Sequence, residues 1–253
     1  MGNCFADDPQ EETLPKLKLN IMGNSIKPHI DRAEKTGTCN LAKQGLDEVN
    51  AALQRVTGNL RTLDLADNKL SSLPPMIGSY NILKHLNVSG NRLTSLPAEV
   101  GNLKKLESLT LNNNRLTSLP HTLCHLTSLR DINLSHNQLK VFPTQLGGLK
   151  ALASVDLSHN RLIEVPAAVK ELHMIELNLN RNSISRLSEE VGDCPRLKVL
   201  RLEENCLEIT VFTPRIMKHS NISLLAIEGN VFEMKTFHQL DGYDEVQYKV
   251  HLQ

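Results

Sequence analysis

One eleven-residue pattern, LxxLxLxxNxL, recurs through most of this chain, with an apolar residue at each L position and asparagine near the end. Successive copies begin 22 to 25 residues apart. The asparagines of the eight copies are Asn68, Asn91, Asn114, Asn137, Asn160, Asn182, Asn205 and Asn230. A unit that repeats at such a period folds by stacking, so that each copy contacts only its neighbours.

Within each copy, apolar and polar residues alternate, which predicts a short strand. In the first full repeat, Leu63 and Leu65 are expected to face inward, and Thr62, Asp64 and Ala66 are expected to face the opposite side. Stacked strands of this kind predict one curved parallel sheet of eight or nine strands on the concave side, with short helices and turns on the convex side. The period and pattern are typical of a leucine-rich-repeat solenoid, an α/β fold.

The repeated asparagines are predicted to be structural. The chain turns sharply after each strand, and an inward amide can bond the backbone groups left facing the interior. Five repeats then place an apolar residue before proline, and each proline is expected at the first position of a short convex helix. These prolines are Pro74, Pro97, Pro120, Pro143 and Pro166.

The sequence divides into four segments. Residues 1–25 are a flexible tail with candidate acylation sites, and residues 26–59 are an N-terminal cap and a degenerate repeat with Gln44 in the asparagine position. Residues 60–232 hold the eight repeats, and residues 233–253 form a C-terminal cap. Terminal repeats need a polar outer side, so a capping helix with Ile30 and Ala33 facing the core is expected near residues 27–35.

Composition narrows the class of function. Lys and Arg together number 28, as do Asp and Glu, so no net charge favours nucleic acid. The five cysteines are scattered and odd in number, which indicates reduced thiols. The sequence shows no secretion signal and no run long enough to span a membrane. We therefore expect a cytoplasmic protein.

The concave face is the candidate partner-binding site. A protein held there is expected to be bound by hydrogen bonds and charge, because aromatic anchors are missing. The strand side chains are expected to be free of structural roles; alternatively, they are only soluble strand residues. The candidate residues are Asp64, Asn87, Thr110, Asn133, His136, Asp156, His159, Asn178, Arg181 and Arg201.

No catalytic or metal-binding constellation is evident. His136 and His159 occupy one slot on adjacent strands near Asp156, but a third convergent ligand is not evident. His121, Cys124 and His125 are expected to be surface residues. No Ser/His/Asp motif or glycine-rich phosphate loop follows a strand, so we expect neither enzymatic activity nor a cofactor.

Charge is unevenly distributed along the repeats. Basic residues recur at one edge, and glutamates gather toward the C-terminal end. This arrangement could orient an acidic partner or a membrane, or it could be a solvated rim. The basic residues are Lys69, Arg92, Arg115 and Arg161, and the acidic ones are Glu203, Glu204, Glu208, Glu228 and Glu233.

Several segments outside the repeat consensus resemble the leucine-rich-repeat-containing protein 57 family. They include Met22-Gly23-Asn24-Ser25, the run LRLEENCLE at residues 200–208, and Gly242-Tyr243-Asp244. The resemblance covers residues 22 to about 250. It implies a small intracellular protein that is anchored to membranes by an N-terminal myristoyl group and has no assigned enzymatic activity.

The N-terminus carries two candidate lipid sites. Met1-Gly2-Asn3-Cys4 offers Gly2 for myristoylation after removal of Met1, and Cys4 for palmitoylation. Two acyl chains would anchor a protein stably, whereas one gives marginal binding. Ala6 stands where the acceptor pattern prefers Ser or Thr. Translation from Met22 would expose Gly23 instead, which is the position that the family resemblance implies.

Two functions follow from these observations. The first is a non-enzymatic, monomeric scaffold or adaptor that binds a protein partner and is tethered to the cytoplasmic face of a membrane by N-terminal myristoylation. The alternative is a soluble regulatory subunit that holds a small GTPase or a protein phosphatase on its concave face. This alternative rests on analogy with the repeat class.

Overall fold

The computed structural model describes residues 26–49 and 51–243, and its main feature is a nine-stranded parallel sheet. The strands lie in chain order, except that β7 (Glu164–Val165) and β9 (Arg186–Leu187) form a separate pair. The nine strands are β1 (Thr38–Asn40), β2 (Thr62–Asp64), β3 (His85–Asn87), β4 (Ser108–Thr110), β5 (Asp131–Asn133), β6 (Ser154–Asp156), β8 (Glu176–Asn178), β10 (Val199–Arg201) and β11 (Leu224–Ala226). The predicted fold class is confirmed.

The strands pair without any change of register. Leu63 lies opposite Leu86, and Leu86 lies opposite Leu109, so equivalent residues form rows across the sheet. The middle residue of every strand is buried, and the residues on either side of it face the concave surface. The apolar core therefore runs as one continuous stack of leucines behind the sheet. Ala66, which was expected on the outer face, is 92% buried, because the strand ends at Asp64 and the chain has already turned.

The repeated asparagines bond the turns of successive repeats together. The Nδ2 of Asn137 donates to the carbonyl oxygens of Leu111 and Leu134, both at 3.0 Å, and its Oδ1 accepts from the Leu116 N–H. This geometry recurs along the stack. Gln44 differs from the prediction, because its exposed side chain donates to the nearby carbonyl of Ala42 instead of entering the interior.

Short 3-10 helices form the convex side, as the repeat pattern predicts. The prolines lie one residue earlier than predicted, because each occupies the position just before the helix. Pro97, for example, has φ −69° and ψ 149°, so the ring fixes φ while the backbone is still extended. These helices are Ala51–Val56, Pro75–Ser79, Ala98–Asn102, His121–His125, Thr144–Leu146, Ala167–Glu171, Glu189–Asp193 and Ile209–Val211.

A two-stranded parallel sheet of β7 (Glu164–Val165) and β9 (Arg186–Leu187) lies apart from the main sheet. Val165 and Leu187 are buried, while Glu164 and Arg186 form an ion pair at 2.7 Å. The repeat consensus gave no indication of this second sheet. Its strands are only two residues long, too short for alternation to be recognised.

Helices cover both ends of the stack within the described residues. Helix α1 (26–36) buries Ile26, Ile30 and Ala33 against the first repeat. Helices α2 (Pro214–Met217) and α3 (Met234–Phe237) lie at the other end. There, Phe237 is fully buried and contacts Phe212 and Tyr243 edge to face.

Candidate concave binding face

Two rows of side chains cover the concave face. The third residues of the strands form the central row expected from the sequence, and the register places them directly opposite one another. The first residues form a second row on the same face, as alternation predicts for Thr62, but the sequence analysis did not include this row among the candidate binding residues. The central row is Asn40, Asp64, Asn87, Thr110, Asn133, Asp156, Asn178, Arg201 and Ala226. The second row is Thr38, Thr62, His85, Ser108, Asp131, Ser154, Glu176, Val199 and Leu224.

Most central-row side chains have a structural role, so the expectation that they are free of one is wrong. Their Oδ1 atom accepts from the backbone N–H two residues later, at 2.9–3.1 Å. The chain leaves the strand at that point, and the bond closes the turn. The residues are Asn40, Asp64, Asn87, Asn133, Asp156 and Asn178.

These turns leave one polar atom of each side chain available to a partner. Within the described residues, no hydrogen bond occupies the Nδ2 of Asn87, Asn133 or Asn178, or the Oδ2 of Asp64 or Asp156. The amides offer donors and the carboxylates offer acceptors. The face therefore presents an ordered series of fixed hydrogen-bonding groups, with little loss of side-chain freedom on binding.

A third row of residues follows the strands at the rim of the face. Asp67, His136, His159, Arg181 and Glu204 each have φ between 52° and 55°. This left-handed conformation is uncommon for residues other than glycine. Their backbone N–H groups are held by the next repeat; His136, for example, donates to the Ser158 carbonyl. The tight turn fixes where each rim side chain leaves the backbone.

His136 and His159 stack at the rim, with ring centroids 3.8 Å apart and an interplanar angle of 16°. Partial burial, the His136 ring and the Arg181 guanidinium together hold the pKa of His159 below its ordinary value. Within the described part of the chain, no three or more His, Cys, Asp or Glu side chains converge as a metal site would need. The histidine pair therefore contributes a flat aromatic surface to the face.

The C-terminal part of the face is an ionic network around a concavity of about 550 Å³. Arg181 binds Glu204 at 2.8 Å, and Arg201 lies 3.8 Å from Glu176. Glu204 also raises the pKa of Arg181 by accepting a hydrogen bond from it. Glu228 lines the same concavity and forms no ion pair within the described residues.

The basic edge predicted from the sequence consists of four exposed side chains in the same slot of their repeats. Each backbone N–H donates to a carbonyl of the preceding repeat, which keeps the four in line. No ion pair within the described residues neutralises any of them. They are Lys69, Arg92, Arg115 and Arg161.

The candidate lipid sites Gly2, Cys4 and Gly23 lie outside the described residues. None of the helices described is long and apolar enough to cross a membrane. On the convex side, His121, Cys124 and His125 are exposed on one short helix, in line with the expectation that they are surface residues.

Comparisons with a family model and with solved structures identify the fold. A family model described as a leucine-rich repeat region matches residues 39–161. A leucine-rich-repeat protein of Leptospira interrogans is 26% identical with a TM-score of 0.60, over 84% of this chain and 67% of that one. Internalin C2 of Listeria monocytogenes is 20% identical with a TM-score of 0.67, over 83% of this chain and 96% of that one.

The leucine-rich-repeat domain of APL1B is also similar, at 21% identity and a TM-score of 0.65, over 93% of this chain and 67% of that one. At 20% and 21% identity, the likeness to internalin C2 and APL1B concerns the fold alone. This likeness of fold agrees with the parallel sheet, the stacked asparagines and the convex 3-10 helices described above. The chain therefore has the leucine-rich-repeat fold.

Proposed function

We propose that this chain is a non-enzymatic scaffold or adaptor that binds a partner protein on its concave face. The observation that carries the proposal is the central row of Asn and Asp side chains. Each is fixed by a turn bond at one atom and available at the other. Leucine-rich-repeat proteins generally act by binding proteins along such an extended surface.

The chemistry of the face indicates the kind of contact. The central row contains no Phe, Tyr or Trp, and the ionic network lies at its C-terminal end. A partner is therefore held by hydrogen bonds and by charge rather than by large apolar anchors, so binding weakens as salt increases. The stacked pair His136 and His159 supplies a flat surface, and His159 lies close enough to Asp156 to interact with its charge.

Affinity capture of partners from the cells that express the full chain tests the proposal. A double variant, Asp156→Asn with Arg201→Glu, changes two charges in the central row, and the asparagine keeps the oxygen that closes the turn to Ser158. We expect this variant to lose proteins that the unmodified chain retains at low salt. Lys170→Gln makes the same net change of charge on a convex helix and serves as the control.

Thermal denaturation of the variants shows whether each is folded. Partners retained equally by the folded double variant and the unmodified chain would place binding elsewhere and overturn the proposal for this face.

The second part of the proposal is a membrane tether formed by acylation of Gly2, with Cys4 as a second acyl site. The MGNC sequence supports it, because removal of Met1 would expose Gly2. The resemblance of residues 22–250 to the leucine-rich-repeat-containing protein 57 family supports a lipid anchor at Gly23 instead. Acylation of both Gly2 and Cys4 would hold the scaffold stably at the cytoplasmic face of a membrane, whereas a myristoyl group at Gly23 alone would give marginal binding there.

Intact-mass and N-terminal peptide spectra of the protein from its native cells test the tether. A myristoyl adduct on Gly2 or Gly23 identifies both the start and the anchor. Gly2→Ala should then move the protein out of the membrane fraction, while Gly23→Ala should not, if Gly2 is the site. An unmodified or acetylated N-terminus would overturn the tether and favour a soluble regulatory subunit.

A further inference from the structure

In the described part of the chain, strand β1 forms an edge of the nine-stranded sheet and pairs with β2 alone. The Gly37 carbonyl accepts from the Thr62 N–H, and the Leu41 N–H donates to the Asp64 carbonyl. In a parallel ladder, alternate residues bond the same neighbouring strand. The N–H and C=O groups of Thr38 and Asn40 therefore face away from β2, toward the open side of the sheet.

Among the residues that the structure describes, one side chain covers this open edge. The Oγ1 of Thr36 accepts from the Thr38 N–H at 3.2 Å and contacts the Thr38 carbonyl oxygen at 3.3 Å. Within the described residues, no comparable side chain reaches the backbone groups of Asn40, whose own Oδ1 is engaged by the Ala42 N–H. An edge strand with unpaired backbone groups is a template for another strand.

Helix α1 forms a wall beside the edge instead of covering it. A concavity of about 440 Å³ separates them, lined by His29, Arg32 and Thr36 from the helix and by Thr38 and Asn40 from the strand. Positions 29, 32 and 36 share one side of the helix, while Ile26, Ile30 and Ala33 point into the core. The space is thus a trough that runs along the exposed backbone of β1.

Among the described residues, Arg32 is the charged side chain that lines the trough. It is exposed, and no described carboxylate pairs with it. The two acids of the helix, Asp31 and Glu34, both bind Arg55, at 3.5 Å and 2.7 Å. Arg55 offsets one of their two charges and neither acid lines the trough, so a segment entering the trough meets the positive charge of Arg32.

We propose that the open edge of β1 accepts an extended acidic segment of a partner protein as an additional strand. Backbone hydrogen bonds to Asn40 hold the segment, and a carboxylate side chain of the segment lies against Arg32. Once the Thr36 hydroxyl is displaced, the backbone of Thr38 joins the ladder. This second docking site uses the edge backbone of β1 and not the concave side chains of β2 to β11, and it does not depend on the function proposed for that face.

The charge of the trough argues against a second copy of this chain as the occupant. Antiparallel pairing of two β1 strands about a two-fold axis would bring Arg32 close to the Arg32 of the other copy. Like charges placed together in this way oppose association. An acidic strand from a different protein has the complementary charge.

A random ten-residue peptide display library tests the proposal, with the folded full chain as bait. We expect the selected peptides to be enriched in Asp and Glu and to lack proline at the pairing positions. Hydrogen exchange on the complex, read by NMR, should show protection of the Asn40 amide. Sedimentation of the free chain shows whether a second copy occupies the edge instead.

Two pairs of variants separate the backbone contact from the charge contact. Asn40→Ala removes only the turn bond to Ala42, whereas Asn40→Pro also removes the outward N–H, which an edge strand tolerates. We expect the proline variant to bind the selected peptides about tenfold more weakly than the alanine variant. Arg32→Glu should weaken the binding of acidic peptides and strengthen the binding of versions in which Lys replaces Asp or Glu. Lys105→Glu makes the same change of charge elsewhere on the surface and should have neither effect.

Basic or neutral selected peptides would overturn the proposal. So would peptides that bind Asn40→Pro and Asn40→Ala equally, or a chain that sediments as a dimer through this edge. Selected peptides that leave Asn40 unprotected and instead contact the central-row residues from Asp64 to Ala226 would also overturn it, but they would support the function proposed for the concave face. The two proposals therefore fail separately.

Discussion

Gly101 and Thr122 lie on neighbouring convex helices, and a β-carbon on Gly101 would stand 2.4 Å from the Thr122 carbonyl oxygen. The obstacle is backbone, so a small side-chain movement cannot relieve the clash. We expect Gly101→Ala to lower the free energy of unfolding by about 1–3 kcal/mol, as overpacking generally does. Urea denaturation followed by circular dichroism measures the change.

Gly148 is the matched control, because a β-carbon there meets nothing within 4 Å. Gly148→Ala should leave stability unchanged or raise it slightly, since alanine restricts the unfolded chain. Equal destabilisation by both substitutions would show that packing between the convex helices does not require glycine at position 101.

A substitution in the asparagine ladder, which is the stacked row of repeated asparagines, is expected to lower the free energy of unfolding more than Gly101→Ala does. Asn137→Ala removes an acceptor from the Leu116 N–H and a donor from the carbonyls of Leu111, Leu134 and Ser135, all without replacement. Because a buried polar group without a partner costs ~1–3 kcal/mol, we expect a loss of about 3–5 kcal/mol. Chemical denaturation of the full chain measures it.

Asn102→Ala is the control for this substitution. Its amide is of the same type but lies exposed on a convex helix. A ladder substitution no more costly than Asn102→Ala would show that water replaces the lost hydrogen bonds. The ladder would then not be essential for holding the turns.

The repeat period made the sheet and the ladder predictable from sequence. Asn137 and its equivalents recur at nearly fixed spacing, and each set of inward leucines follows from alternation around Leu63 and Leu65. These features depend on residue type and spacing, which the sequence states directly. The solenoid therefore follows from pattern alone.

Other features depend on local backbone geometry that the pattern does not contain. The Asn133 turn bond to Ser135 arises because the strand ends after three residues, a length that the alternation overestimates at Ala66. The left-handed conformation of His136 and His159 was likewise not predicted, because only a few per cent of residues other than glycine adopt it. The edge at Asn40 is open because β1 is the first strand of the sheet. The degenerate sequence of its repeat made this strand hard to recognise.

The stacking of His136 and His159 predicts that the stability of the fold depends on pH. Partial burial, His136 and Arg181 hold the pKa of His159 below its ordinary value of 6.5, so the folded chain binds this proton less readily than the unfolded chain. The stability linked to it is fully present above the unfolded pKa and is lost as pH falls through the folded pKa. Side-chain NMR titration should show His159 titrating below its ordinary value.

Replacing the neighbouring ring tests the cause. His136→Asn should move the pKa of His159 back toward its ordinary value, while His121→Asn, on an exposed convex helix, should leave it unchanged. An unshifted His159 in the unmodified chain would contradict the stacked geometry. An effect of His121→Asn would point to long-range charge instead of the contact.

Cysteine reactivity should follow burial. Burial raises the pKa of the Cys39 thiol to about 11 and, with help from Asp193, that of Cys194 to about 12. Because the thiolate is the nucleophile, both should resist iodoacetamide at pH 8 in the folded protein, whereas the exposed Cys124 and Cys206 should react. Peptide mass spectrometry after timed labelling compares the four, and labelling in urea should make them alike. Fast labelling of Cys39 without denaturant would show that the first repeat opens in solution, contrary to its packing beneath α1 and β2.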